Sequence, residues 1–163
     1  YECAKKYDFE TIIRLTADCP LICPKQLNNL YEFYRDFNLN YTFFDESFPE
    51  GICADIFSFK TLEITYKNTS EPEDLEHVTP YMHKNKTIFK IKPFSLSESI
   101  NHLRFTIDTE LDYAAVKKIT NNLYQKFGYY FDMHQIIEFL ENNNEIMKIN
   151  KSIKRNESFN VFD

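Results

Sequence analysis

Two glycines, Gly51 and Gly128, are all that 163 residues contain. A loop that cradles phosphate through backbone N–H groups is commonly opened by glycine. Neither residue stands between a strand and a helix as a Walker-type loop or a dinucleotide fingerprint requires. A basic excess is also missing, since 19 Lys and Arg against 25 Asp and Glu leave a formal net charge of −6. Nucleic-acid affinity rests on a basic face, so this balance argues against a nucleic-acid partner. The one basic cluster, Lys148 to Arg155, reads as part of a solvated polar tail. No apolar run nears the ~20 residues that cross a bilayer, and no signal-peptide pattern opens the chain. A cytoplasmic protein without a membrane partner is expected.

What is present points to a packed globule. A hydrophobic content of 43% and an aromatic content of 17% suffice for one domain with a core rich in Phe and Tyr. Cys3, Cys19, Cys23 and Cys53 permit disulfides or a metal site on paper. The Cys-x-x-x-Cys spacing at 19 and 23 has neither a second pair nor a His at ligand spacing, which is weak support for zinc. Free thiols in a reducing compartment are the expectation.

The chemistry-bearing signal is a repeated one. Arg14-Leu15-Thr16-Ala17-Asp18 and Arg104-Phe105-Thr106-Ile107-Asp108 share the pattern Arg-x-Thr-x-Asp, and each acid closes a short β-like run. In open α/β sheets ligands sit outside the carboxyl ends of strands, where two such acids can share one cation. The plainer alternative is that each Asp only caps the helix that follows.

Around these acids the chain alternates strand and helix. The spacing predicts a helix over 24–37 with Pro24 in its first turn, a strand over 41–44 and another within 52–59. Helices follow over 60–68 and 73–84, the second liable to kink or end at Pro80, and then a strand over 87–92. Leu111, Ala115, Ile119, Leu123 and Phe127 recur every four residues in a helix stopped by Gly128. Asp132 with Gln135 resembles a capping box that opens a helix to about 142. Such alternation predicts an α/β class with a largely parallel, three-layer sheet. A single domain over 1–145 and a polar C-terminal tail over 146–163 are expected.

Arg14 to Ile22, the segment Glu76-His77-Val78-Thr79-Pro80-Tyr81, Leu103 to Thr109 and Ile149-Asn150 together resemble the spore-coat-polysaccharide type of cytidylyltransferases. These are relatives of the 3-deoxy-manno-octulosonate and acylneuraminate cytidylyltransferases. The resemblance runs in order through nearly the whole chain and matches the C-terminal two-thirds of the family. It implies a Rossmann-like three-layer α/β/α nucleotidyltransferase fold with its N-terminal part missing, and an enzyme that uses CTP and Mg²⁺ to activate a sugar or sugar acid for surface polysaccharides.

Carried over residue by residue, the metal acids are Asp18 and Asp108, and Glu76, His77 and Tyr81 become candidate sugar contacts. Arg104 is a candidate catalytic contact to phosphate, or else a bridge to an acid. The chain departs from the family at Ala17, where Gly is usual, and at Cys23 and Cys53, where acids are usual. The family's N-terminal strand and its Ser-x-Arg-Leu-x-Gly-Lys loop find no match, so the fragment alone is expected to be inactive. The resemblance also implies a homodimer. A non-catalytic homologue or dimerisation module of the same fold is the alternative, with a glycosyltransferase behind it.

Overall fold

The computed structural model describes residues 1–155. In chain order its elements are α1 (Glu2–Lys6), β1 (Thr11–Arg14), α2 (Pro24–Asp36), β2 (Tyr41–Phe44), β3 (Asp55–Ser58), α3 (Phe59–Asn68), α4 (Pro72–His77), α5 (Pro80–Lys84), β4 (Ile91–Phe94), α6 (Glu110–Phe127), α7 (Met133–Glu141) and α8 (Asn144–Met147). They fall into two compact units. The first comprises Tyr1–Leu15, Asn29–Phe44 and Ala54–Phe94, and the second Thr16–Asn28, Asp45–Cys53 and the described residues from Ser95 onward.

The first unit is built on a four-stranded sheet of order β1-β3-β2-β4. Only β2 and β4 pair in parallel; β3 runs antiparallel to both β1 and β2. The largely parallel sheet expected from the alternation is therefore corrected to a mixed one. The reason is local: no helix lies between β2 and β3, so the chain returns beside itself antiparallel, whereas a parallel return needs a helical crossover. β1 and β2, joined by α2, both oppose β3 and so run the same way, as a βαβ unit demands.

β4 occupies the edge and contains Pro93, which an edge strand tolerates because one face of its backbone needs no donor. The alternation at 87–92 placed this strand too early. Asn85 accepts from the N–H groups of Ile88 and Phe89 in a turn, and Phe89 is buried by the core before the strand begins. The helix expected over 73–84 breaks into α4 and α5, with Pro80 opening the second where its missing N–H is harmless.

Ala4, Tyr41, Phe57, Leu62, Met82 and Phe89 form one core cluster of this unit. A polar chain crosses the same region. Arg14 Nη1 lies 3.0 Å from Asp55 Oδ2, the Tyr41 hydroxyl donates to Asp55 Oδ1 at 2.6 Å, and His83 Nε2 lies 2.7 Å from that hydroxyl. A phenol has one proton to give, so with Asp55 as its acceptor the hydroxyl receives from a protonated Nε2 of His83.

Burial, assisted by the charge of Lys86, pushes His83 down to about 4 from 6.5. Between those values the unfolded chain binds a proton that the folded chain refuses, so stability falls as pH drops from about 6.5 to about 4. Urea midpoints measured at pH 7 and pH 5 should differ more in the parent than in His83→Gln, which keeps a donor but does not titrate. Equal pH dependence in the two would contradict the burial of a neutral His83.

The second unit packs α6, α7 and α8 through Ala115, Ile119, Leu123, Ile136, Leu140 and Ile146, all buried. Both helix starts are capping boxes: Thr109 with Asp112 on α6 and Asp132 with Gln135 on α7. The polar tail expected from residue 146 is part of this packing, since Ile146 and Asn150 are buried and Arg155 Nη1 donates to the Phe48 and Asn101 carbonyls. Residues 156–163 of that stretch lie outside the described residues. Among the described residues no helix is long and apolar enough to cross a membrane.

Candidate functional site

Both Arg-x-Thr-x-Asp acids belong to the second unit. Asp18 stands in the turn that follows β1. The run before Asp108 is not a strand, although Leu103, Phe105 and Thr106 are buried. Its pairing is limited to one bridge between Glu50 and Arg104. The partner segment cannot extend it, because Pro49 lacks an N–H and Gly51 turns away at a φ of 93°.

The two acid-bearing segments are fastened together. Ile107 N–H donates to the Asp18 carbonyl at 2.9 Å, and Thr106 Oγ1 lies 3.4 Å from both that carbonyl and Asp18 Oδ2. One backbone hydrogen bond thus joins Asp18 to the residue before Asp108, with both side chains exposed. Asp108 is not the cap of α6: that place belongs to Thr109, whose hydroxyl accepts from the Asp112 N–H at 3.2 Å, and Asp18 lies several residues before α2 begins at Pro24.

Arg104 gathers the carboxylates. It is 10% exposed and reaches Glu50 Oε2 at 2.5 Å, Asp108 Oδ2 at 2.7 Å and Asp112 at 2.8 and 3.0 Å. Asp112, fully buried, also receives Asn150 Nδ2 at 2.8 Å and the Thr109 hydroxyl at 3.0 Å. Burial works against charge on Asp112, yet the hydrogen bonds from Arg104, Asn150 and Thr109 outweigh it and hold the carboxyl at about 2. Burial likewise works against charge on Arg104, and its bonds to Asp112 and Glu50 reverse that, fixing the guanidinium as a cation. Of the two roles expected for Arg104, the observed contacts are those of the bridge to acids. Glu50, Asp112 and Asn150 were not singled out from the sequence as members of this cluster.

The acids suit a hard cation in their chemistry. Exposed carboxylate oxygens are what Mg²⁺ takes, and it binds proteins through one or two carboxylates while phosphate oxygens and water complete its shell. Among the described residues no group of three or more His, Cys, Asp or Glu is placed to hold a metal ion.

Glu76, His77 and Tyr81 belong to the first unit. Glu76 is exposed and His77 half-buried at the end of α4, while Tyr81 lies against the core cluster with its ring 6.4 Å from Phe89. Between them Val78 sits at φ 71°, ψ −46°, and Thr79 N–H donates back to the His77 carbonyl at 2.8 Å. That is a γ-turn of the strained hand on a β-branched residue, a conformation that costs about 1–3 kcal/mol and clusters at functional sites.

None of the four cysteines is in a disulfide. Cys23 is buried, its thiol directed to the Leu21 carbonyl at 3.4 Å and pushed up by burial to about 12, while Cys19 turns instead to Cys53.

No protein-family model matches the sequence. The chain is 30% identical over 162 residues to an uncharacterized protein of Methanocaldococcus jannaschii, covering 95% of this chain and 63% of that protein. It is 32% identical over 120 residues to the spore coat polysaccharide biosynthesis protein SpsF of Bacillus subtilis, covering 72% of this chain and 48% of SpsF. The structure of a cytidylyltransferase from Leptospira borgpetersenii superposes with a TM-score of 0.84 at 28% identity, over 94% of this chain and 65% of that one. The mixed α/β fold is therefore of the cytidylyltransferase type. Together with the sequence relatives, it supports assigning this chain to the cytidylyltransferase family. The chain spans less than two-thirds of the length of each of these three proteins.

Proposed function

We propose that these residues carry the acid-bearing part of a cytidylyltransferase that activates a sugar or sugar acid with CTP for surface polysaccharide biosynthesis, releasing pyrophosphate. The observation that carries the reading is the likeness over 94% of the chain to a solved cytidylyltransferase, with Asp18 and Asp108 drawn together by the Ile107 to Asp18 hydrogen bond. The reaction is attack of a sugar oxygen on the α-phosphate with pyrophosphate leaving in line. Such a transfer depends on positioning and charge neutralisation.

Asp18 and Asp108 are the proposed Mg²⁺ ligands. The bound cation would neutralise phosphate charge and orient the nucleotide. Thr106 steadies the Asp18 carboxylate, and Arg104 orients Asp108 through its Oδ2, leaving the other oxygen for the cation. Glu76, His77 and Tyr81 are the proposed contacts to the acceptor sugar, with the strained turn at Val78 in their support. A homodimer is part of the proposal on family likeness alone.

The test uses the natural polypeptide that contains these residues, assayed for pyrophosphate release with Mg²⁺ and a panel of sugars and sugar acids. CTP should be preferred over UTP, ATP and GTP. Release from none of them with any acceptor would favour a non-catalytic homologue.

A further inference from the structure

Cys19 and Cys53 meet in the second unit through two loops that the fold brings together. Their sulfurs are 2.8 Å apart, less than about 1 Å more than the ~2.05 Å of an S–S bond. Thr16 Oγ1 is 3.2 Å from Cys19 Sγ and 3.4 Å from Cys53 Sγ. The approach is imposed from both sides. The Cys19 loop is pinned by the Ile107 to Asp18 hydrogen bond, and the Cys53 loop by Gly51 lying against the backbone of Phe105 and Thr106.

We propose that Cys19 and Cys53 are a modification site, a dithiol that closes reversibly to a disulfide beside the acid loop in exchange with small-molecule disulfides. Cys19 is 6% exposed, whereas Cys53 is partly open. Access sets the order, so the more open Cys53 is the first to react. Its thiolate attacks one sulfur of the small disulfide and expels a thiolate, which takes up the proton that Cys53 released. Cys19 then loses its proton and attacks Cys53 Sγ, expelling the second small thiol. Two protein sulfurs are oxidised and one small disulfide is reduced to two thiols. The bond would join the residue after Asp18 to a position 34 residues on, which stiffens the turn that carries the acid.

The chain offers its own controls, because Cys3 is exposed and Cys23 is buried against Leu21. The protein is treated with oxidised glutathione under native conditions, alkylated, digested and weighed by mass spectrometry. A 19–53 linked peptide pair lacking two hydrogens is expected, with Cys23 alkylated only once the protein is unfolded and the link undone by dithiothreitol. Cys53→Ser should abolish the link and leave Cys19 alkylated only after unfolding. Native protein should form the link about tenfold faster than protein unfolded in urea, because the fold has already closed the intervening loop. Cys53 held only as a glutathione mixed disulfide, a link through Cys3 or Cys23 in its place, or equal rates with and without urea would each overturn the proposal.

Discussion

Arg104→Ala should lower stability by about 3–5 kcal/mol, the range for breaking a buried ion pair by removing one partner. The guanidinium serves three carboxylates at once, and Asp112 is wholly buried behind it. Without Arg104 the Asp112 charge keeps only Asn150, Thr109 and backbone donors. Arg104→Lys should recover little, because a compact ammonium cannot bond three carboxylates in the planar fork arrangement. Adding Asp112→Asn to Arg104→Ala should return part of the loss by removing the stranded charge. Urea unfolding of the single and double variants reads these terms. A loss below about 1 kcal/mol for Arg104→Ala would mark the cluster as no stronger than a surface pair.

Gly51→Ala should cost about 2–6 kcal/mol, since overpacking and left-handed strain each contribute about 1–3. Gly51 has φ +93°, and an added Cβ would lie 2.1 Å from Thr106 N and 2.4 Å from the Phe105 carbonyl carbon. Both are backbone atoms that no rotamer change can move. The loop would have to retreat, breaking the 2.6 Å bond from Phe105 N–H to the Glu50 carbonyl and loosening the Glu50 to Arg104 pair. Gly128→Ala is the comparison. Its φ is +62°, but nothing lies within 4 Å of the new Cβ, so only the conformational cost of about 1–3 kcal/mol remains. Equal losses for the two variants in chemical denaturation would show that the close approach at Gly51 does not matter.

These contacts explain where the sequence was legible. The four-residue spacing of Ala115, Ile119 and Leu123 and the Asp132-to-Gln135 pairing are local signals, and α6 and α7 stand where they indicated. Strand direction is not local. Whether β3 runs with or against β2 depends on what fills residues 45–54, and the alternation of elements misled there. The 103–107 run shows the same limit: it reads as a strand, but a ladder needs a partner, and Pro49 and Gly51 restrict that partner to a single bridge.

The repeated Arg-x-Thr-x-Asp pattern identified two acids that the fold brings together. It was silent on Glu50 and Asn150, which are distant in sequence; Asn150 entered only through the resemblance at Ile149-Asn150, with no role attached. Asp112 was readable as a first-turn acid of α6. Its full burial was not.

In the proposed reaction Asp18 and Asp108 act together on the nucleotide's metal. In the natural polypeptide containing these residues, Asp18→Asn and Asp108→Asn each remove a charge while keeping shape, and both side chains are exposed. Pyrophosphate release from CTP at saturating Mg²⁺ should fall by about 100-fold or more in either variant, as expected for loss of a metal-holding carboxylate. The urea midpoint should stay within about 1 kcal/mol of the parent, since the Arg104 to Asp108 pair is solvent-exposed on the acid side. Activity near that of the parent in both variants would contradict the account.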